Sequence, residues 1–305
     1  MGINSLVRSL MIEWEPPLEG KLSPGKIDRT LLTGRERRAP ASFSYASRGY
    51  RPPMSFDVAA TAYDAFMGRW SRRLSGALAD AAGITSGMRV LDVGCGTGAL
   101  TEEIVRRVRS EDVSAVDPSS SFVSAMRDRF PDVDVREGSA ERLPFEGGRF
   151  DAALAQLVVH FMGDPVVGLA EMRRVSRPGG VVAACVWDYA GNRGPLGVFW
   201  DAAREIRPDV RDESRLAGTR EGHLVGLFEA AGLQHVSQSV LQAAIEHATF
   251  EEWWDPFTKG AGPAGAFVAG LDADEVDRLR EACERRLNAR PITVRAAAWA
   301  ARGYA

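Results

Sequence analysis

The chain is poor in cysteine and histidine, the residues of disulfides and of zinc sites. Its 305 residues include only 3 cysteines and 4 histidines. Cys95, Cys185 and Cys283 are odd in number and widely spaced, which excludes a closed disulfide framework and supplies no paired zinc-ligand spacing. Lysine is confined to Lys21, Lys26 and Lys259, and 38 Lys+Arg face 41 Asp+Glu for a net charge of −3. A nucleic-acid binder needs a concentrated basic surface, so the expected partner is a small molecule and not nucleic acid. No apolar run reaches the roughly 20 residues of a membrane span, and the start lacks the charged, apolar and small-residue order of a signal peptide. These absences predict a cytoplasmic protein in which Cys95 and Cys185 are small buried residues. Hydrophobic residues make up 45% and charged ones 26%, as in ordinary globular chains. There is no internal repeat and no heptad pattern.

Residues 1–53 stand apart. They hold Pro16, Pro17, Pro24, Pro40, Pro52 and Pro53, little apolar periodicity and an excess of basic over acidic residues. Such a stretch cannot bury enough apolar surface to offset its ordering entropy. It reads as a disordered tail or a non-native extension, with the domain beginning at 54.

What the sequence does contain is a glycine turn. Val90-Leu91-Asp92-Val93-Gly94-Cys95-Gly96-Thr97-Gly98 joins a strand-like run to the helical spacing of Leu100, Ile104, Val105 and Val108. Glycine permits a sharp turn and a ligand close to the backbone. A strand-to-helix turn also predicts free N–H groups aimed at that ligand. The order strand, glycine turn, helix marks the first unit of a nucleotide-binding sheet. Val113 to Asp117 reads as a second strand ending in an acid, at a spacing where a carboxylate can accept ribose hydroxyls. A third strand closes at Gly138, Phe150 to Gln156 is a fourth, and Val181 to Val186 a fifth. Asp164 and Pro165 read as N-cap and first residue of a helix buried through Val167, Ala170 and Val175.

Tyr63, Phe66 and Trp70 share one helical face, and Leu74, Leu78 and Ala82 continue in a second helix that Gly83 closes. Helices are also predicted over Thr219 to Ala231 and Asp272 to Leu287, with a capping box at Thr249-Phe250-Glu251-Glu252. Gln234 to Ile245 and Ile292 to Ala301 read as the last two strands.

In these motifs and their order, the chain resembles the class I S-adenosylmethionine (SAM)-dependent methyltransferases, in particular the small-molecule ubiquinone/menaquinone type. The resemblance covers residues 57–187 well and the remainder more loosely. It implies an α/β, Rossmann-like fold. The sheet would have seven strands, mostly parallel with the last antiparallel beside the fifth, and helices on both faces. It divides 54–305 into a helical cap (54–84), a SAM-binding core (88–187) and a C-terminal part (188–305). Insertions on the substrate side would lie around 188–218 and 247–290.

The resemblance also implies cofactor contacts. Gly94, Gly96 and Gly98, with Cys95 between them, match the loop beside the methionine part of SAM. Asp92 matches the acid that supports the loop or reaches the amino group through water. Asp117, followed by Pro118, matches the ribose acid; its bland reading is an Asx turn. Ala140 and Glu141 match the segment at adenine, with Ser139 where the family commonly has Asp. Gln156 and Leu157 lie where backbone touches the methionine group. Tyr63 could face the sulfonium. Trp187, Asp188 and Tyr189, and Trp253, Trp254 and Phe257, fall on the substrate side, where a core role is the bland reading.

Methyl transfer is a displacement that needs alignment above all, and a base only when the nucleophile arrives protonated. No catalytic motif is evident, and His160 is the single candidate base. The leading expectation is methyl transfer to a small molecule. A non-enzymatic SAM-binding regulator and an NAD-binding oxidoreductase are the alternatives.

Overall fold

The structure is a computed structural model and describes residues 67–305 apart from residue 261. Tyr63, Phe66 and the tail 1–53 lie outside the described residues.

Helix α1 (Arg69–Ala82) forms because Trp70, Leu74, Leu78 and Ala82 recur at four-residue spacing and are all buried. Trp70 therefore belongs with Leu74 and Leu78 on one helix, not on a preceding one. Gly83 ends it in the left-handed region, its N–H turned back to the carbonyls of Ala79 and Asp80.

The central strands β1 (Val90–Val93) and β2 (Val113–Asp117) are buried at every position, as strands covered on both faces must be. Between them lies α2 (Ala99–Arg107), and α3 (Ser120–Arg129) leads to β3 (Asp134–Glu137). The chain continues through β4 (Phe150–Gln156), α4 (Pro165–Val175), β5 (Ser176–Trp187), α5 (Gly197–Ile206), α6 (His223–Ala230) and β6 (Gln234–His247). The last elements are α7 (Phe250–Thr258), α8 (Gly262–Ala269), α9 (Ala273–Arg286) and β7 (Ile292–Tyr304).

The seven strands form one sheet in the order β3-β2-β1-β4-β5-β7-β6. β1 pairs in parallel with β2 and β4, and β4 with β5. β7 runs antiparallel to both neighbours, with Trp187 opposite Ala298 on one side and Leu241 opposite Ala298 on the other. The reversed β7 is therefore inserted between β5 and β6. This departs from the dinucleotide fold, whose six strands run 3-2-1-4-5-6. Apolar cores fill both faces. One joins the sheet to α1, α2, α5, α7 and α9, and the other to α4 and α6. Strand order reverses between β1 and β4, which is where open α/β sheets bind ligands.

Some local expectations change. Asp164 caps α4 through the N–H groups of Val166 and Val167, but Val167 is exposed and α4 buries Gly168, Leu169, Met172 and Val175 instead. The helix expected from Thr219 begins at His223; Thr219 is spent hydrogen-bonding the carbonyls of Ser214 and Leu216. At Thr249 half the capping box forms. Thr249 Oγ1 accepts from Glu252 N, but the Glu252 carboxylate reaches the N–H of Ala248 rather than that of Thr249. The full reciprocal box occurs at Asp272 and Glu275. Among the described residues no helix is long and apolar enough to cross a membrane.

Candidate functional site

A cavity of about 450 Å³ opens over the carboxyl ends of β1, β2 and β4 and the loop after β3. That volume is in the range of small-molecule sites, roughly 300–1,000 Å³. Asp92, Gly94, Cys95, Gly96, Asp117, Pro118, Ser139, Ala140, Glu141, Gln156 and Leu157 all line it. Gly98 and His160 do not line it.

The three loop glycines serve different ends. A Cβ on Gly94 would lie 2.5 Å from Val158 Cγ2, and one on Gly98 2.7 Å from Phe130 Cε2; both residues have positive φ. Gly94 and Gly98 thus let the turn pack against β4's continuation and α3. Gly96 also has positive φ, but a Cβ there meets nothing within 4 Å. Its open side faces the cavity it lines.

Four of the loop's backbone N–H groups are already engaged within the protein. Gly94 N and Cys95 N donate to Val116 O, Gly96 N to Asp117 Oδ2 at 2.9 Å, and Gly98 N to Cys95 O. The amides are consumed in fastening the turn to the end of β2. What the loop offers a ligand is room and nearby acceptors rather than donors.

Two buried carboxyls supply those acceptors. Asp92 accepts from Thr101 Oγ1 at 2.6 Å, which ties the end of β1 to the first turn of α2. Burial pushes its carboxyl up to about 7, only partly offset by Thr101, and the neighbouring Asp117 adds to the rise. Asp117 accepts from Ser119 N at 2.9 Å as well as from Gly96 N. The Asx turn is therefore present, in the same side chain that faces the cavity. Burial raises its carboxyl against the opposing pull of those two amides. Each ionised carboxylate oxygen has two acceptor sites, so both acids keep capacity for ligand donors.

At the β3-side edge Ser139 is exposed, and Glu141 Oε1 is engaged by Gly163 N at 2.7 Å. Glu141 is thereby a brace for the loop before α4. At the opposite edge Gln156 Nε2 donates to Ser71 O at 3.0 Å. Gly68 and Ser71, at the start of α1, form that wall. Neither stands out in sequence, because the backbone of α1 rather than a marked side chain makes the contact. Phe122 and Met162 also line the cavity; each reads in sequence as an ordinary apolar residue.

His160 lies behind the wall. It is buried, its ring centroid is 3.9 Å from that of Phe161 and 6.1 Å from that of Tyr189, and its Nδ1 has no hydrogen-bond partner. Burial lowers its pKa to about 3, leaving a neutral imidazole of very weak basicity at physiological pH. It shapes the aromatic packing beside the site. Trp253, Trp254 and Phe257 are core residues, packed against Phe250 and Phe199. Trp187 is buried edge-on to Trp70, and Asp188 is spent on Gly191 N and Arg193 Nε. The cysteines are free and buried, and burial raises the thiols of Cys95 and Cys185. No group of metal-ligating side chains occurs among the described residues.

The sheet with its reversed β7 and the cavity at its switch point define a class I methyltransferase fold. A protein from Bacillus halodurans C-125 provisionally assigned as a methyltransferase shares it at a TM-score of 0.50 and 17% identity, over 75% of this chain and 97% of that one. Residues 91–184 match the family described as "Methyltransferase domain". The demethylmenaquinone methyltransferase of Mycobacterium sp. strain KMS is 34% identical over 167 residues, covering 55% of this chain and 67% of the relative. That of Renibacterium salmoninarum is 38% identical over 139 residues, and this chain spans only 57% of its length. A probable SAM-dependent methyltransferase of Mycolicibacterium smegmatis is 28% identical over 215 residues, or 67% of this chain and 78% of the relative. The chain belongs to the SAM-dependent methyltransferase family, whose cofactor is S-adenosylmethionine.

The cavity fits that cofactor on its own terms. Gly96 leaves a bare cradle, Asp92 and Asp117 offer acceptors for hydroxyl and ammonium donors, and Gln156 Oε1 is buried without a partner.

Proposed function

We propose that this protein transfers a methyl group from SAM to a small-molecule acceptor. The observation that carries this is the row of acceptors on adjacent strand ends, Asp117, Asp92 and Gln156, along one cavity floored by Gly96. When bound, SAM supplies an electrophilic methyl on a sulfonium, which passes to the acceptor's nucleophilic atom as the carbon–sulfur bond breaks. The chain's part is then to bind, orient and exclude water. Asp117 would receive the ribose hydroxyls, and Asp92 would hold the loop and face the cationic end. Leu157, Val158 and Phe161 supply apolar wall beside it. Proximity and orientation of this kind lower barriers by roughly 7–11 kcal/mol in favourable cases. No residue lining the cavity is assigned as a base, and an acceptor that arrives ionised needs none.

The acceptor class rests on the relatives named for demethylmenaquinone and on the low charge of the chain. Calorimetry with S-adenosylhomocysteine (SAH) tests the cofactor site. Wild type should bind, and Asp117→Ala should weaken binding about tenfold or more. Because Asp117 also holds Gly96 N and Ser119 N, a lower melting temperature should accompany the loss. Unchanged affinity would remove Asp117 from the site. Transfer of labelled methyl from SAM to a quinol or phenol panel tests the reaction; binding without transfer to any acceptor would favour a regulatory role.

A further inference from the structure

The two edges of the sheet are unlike. At one edge β3 has only 4 residues, and Asp134, Arg136 and Glu137 among them are charged. Arg136 and Arg149 both pair with Asp134 there. Short, charged edges resist pairing with another chain. At the other edge β6 has 14 residues, and its stretch from Val236 to Ile245 holds no charged residue, proline or glycine. Val240, in the middle of that stretch, is 41% exposed.

Hydrogen bonding fixes which backbone groups of β6 face outward. Asp188 N donates to Ala297 O, so odd-numbered residues of β7 turn their backbone groups toward β5. The even-numbered ones turn theirs toward β6. Ala296, Ala298 and Ala300 stand opposite Ala243, Leu241 and Ser239. Those residues of β6 are therefore spent on β7, while Gln238, Val240, Gln242 and Ala244 point N–H and C=O away from the sheet. Among the described residues no backbone group meets them there. Arg69 Nη2 donates to Glu246 O at 3.1 Å, as this alternation requires, and closes one end of the open row. A register shift between Gln234 and Ser237, with His235 at positive φ, closes the other.

A strand lying across a two-fold axis meets itself in reverse. Centred on Val240, the outward row Gln238, Val240, Gln242 reads by residue type the same in both directions. Val240 would face Val240 of the partner subunit, and Gln238 would face Gln242 of the partner subunit. Gln238 Oε1 already accepts from Gly222 N at 3.0 Å, which leaves its NH2 group for the opposing amide oxygen. Near such an axis any charge opposes its own copy, and this stretch carries none.

We propose that the outer edge of β6 is a self-association surface. Two copies of this chain pair antiparallel over Gln238–Gln242 about Val240, joining two seven-stranded sheets into one. The row supplies about six backbone hydrogen bonds. The proposal does not depend on which ligand the cavity takes.

Sedimentation velocity of the full chain from about 1 to 100 μM should show a monomer–dimer equilibrium. Val240→Lys sets two ammonium groups at the axis and should weaken the dimer about tenfold or more. Val167→Lys alters a valine of similar exposure, 44%, on α4. It should leave the dimer within about twofold of wild type. Cross-linking reads the register. Val240→Cys brings two Cα atoms to about 5.5 Å, within disulfide reach, so mild oxidation should give a covalent dimer. Gln242→Cys lies about 13 Å from its own copy in this register and should give none. The native cysteines are buried. A full-length chain that stays monomeric would overturn the proposal. So would a dimer indifferent to Val240→Lys, or equal cross-linking at both positions. Should Val240→Lys fold poorly, the two cysteine variants decide the question alone.

Discussion

The two ends of the cavity are built on opposite plans. Over β2 and β3 the polar groups are already engaged: Asp117 by Gly96 N and Ser119 N, Glu141 by Gly163 N. Over β1 and β4 they are engaged only in part: Asp92 Oδ2 accepts from Thr101 Oγ1, and Gln156 Nε2 donates to Ser71 O. Gln156 Oε1 has no partner, and the Asp92 carboxyl is pushed up to about 7 by burial. The first end is rigid and prepared, so a ligand there adds hydrogen bonds to an existing frame. The second end carries the cost of buried, under-satisfied polar groups, which a cationic ligand would relieve. On the proposed reading of the cavity, nucleoside recognition should be robust, whereas discrimination should sit at the β1 and β4 end.

The glycine loop lies between the ends and gives the sharpest way to break the comparison. Gly98→Val should destabilise the fold by about 2–5 kcal/mol, combining positive-φ strain with overpacking against Met126 and Phe130. Gly96→Ala should cost the fold only about 1 kcal/mol, because its Cβ meets no protein atom. Yet it should weaken SAH binding by about tenfold or more by filling the cradle. Urea denaturation and calorimetry separate the two. A Gly96→Ala protein with full affinity would show that the ligand does not approach the loop.

Asp92 provides the next largest effect. Its folded-state pKa is raised, from 3.8 to about 7. Between those values the folded protein holds a proton that the unfolded chain releases. Stability therefore falls as pH rises through that window and levels off above 7. Glu213, buried and also raised to about 7, contributes in the same direction, so the comparison must be made against a variant. Asp92→Asn should flatten the decline by on the order of 1–3 kcal/mol between about pH 5 and 8. SAH affinity in wild type should rise with pH up to about 7 and then plateau, as the carboxylate pairs with the ligand's ammonium. Parallel stability profiles for wild type and Asp92→Asn would refute the buried-proton account.

The prepared end was more legible in sequence than the β1 and β4 end, for physical reasons. Strand-end acids and a glycine turn are local features, and Asp117 and Gly96 lie close to the elements that define them. Gln156 was legible only by position at the end of β4. Its side chain acquires meaning from Ser71, which is distant in sequence and contributes only a carbonyl. Helix α1 reads as an amphipathic core helix, and nothing in its pattern reveals that its first turn walls the cavity. The sheet order followed from the family resemblance rather than from periodicity, since no local pattern reports that β7 inserts between β5 and β6. Val167 illustrates a smaller limit: apolar spacing marked it as buried, but the start of α4 turns it to solvent.

A small gain should come from Ser139. It stands exposed at the rim of the prepared end, where Glu141 Oε1 already accepts from Gly163 N. Ser139→Asp should improve SAH affinity about two- to tenfold by offering a charge-assisted acceptor to the adenine amino group. At an exposed position stability should stay within about 0.5 kcal/mol. A loss of affinity with the fold intact would place adenine elsewhere.

His160 should produce the smallest effect, and its absence is the informative result. Histidine ordinarily changes charge near physiological pH, but burial holds this ring neutral down to about pH 3. Among the described residues no acid is paired with it, and its ring packs against those of Phe161 and Tyr189. Its ring resonances should not move between about pH 5 and 8, with or without SAH, while the stability profile changes through Asp92. A His160 midpoint near 6 would mean that water or substrate reaches the ring. It would return the imidazole to the set of possible bases.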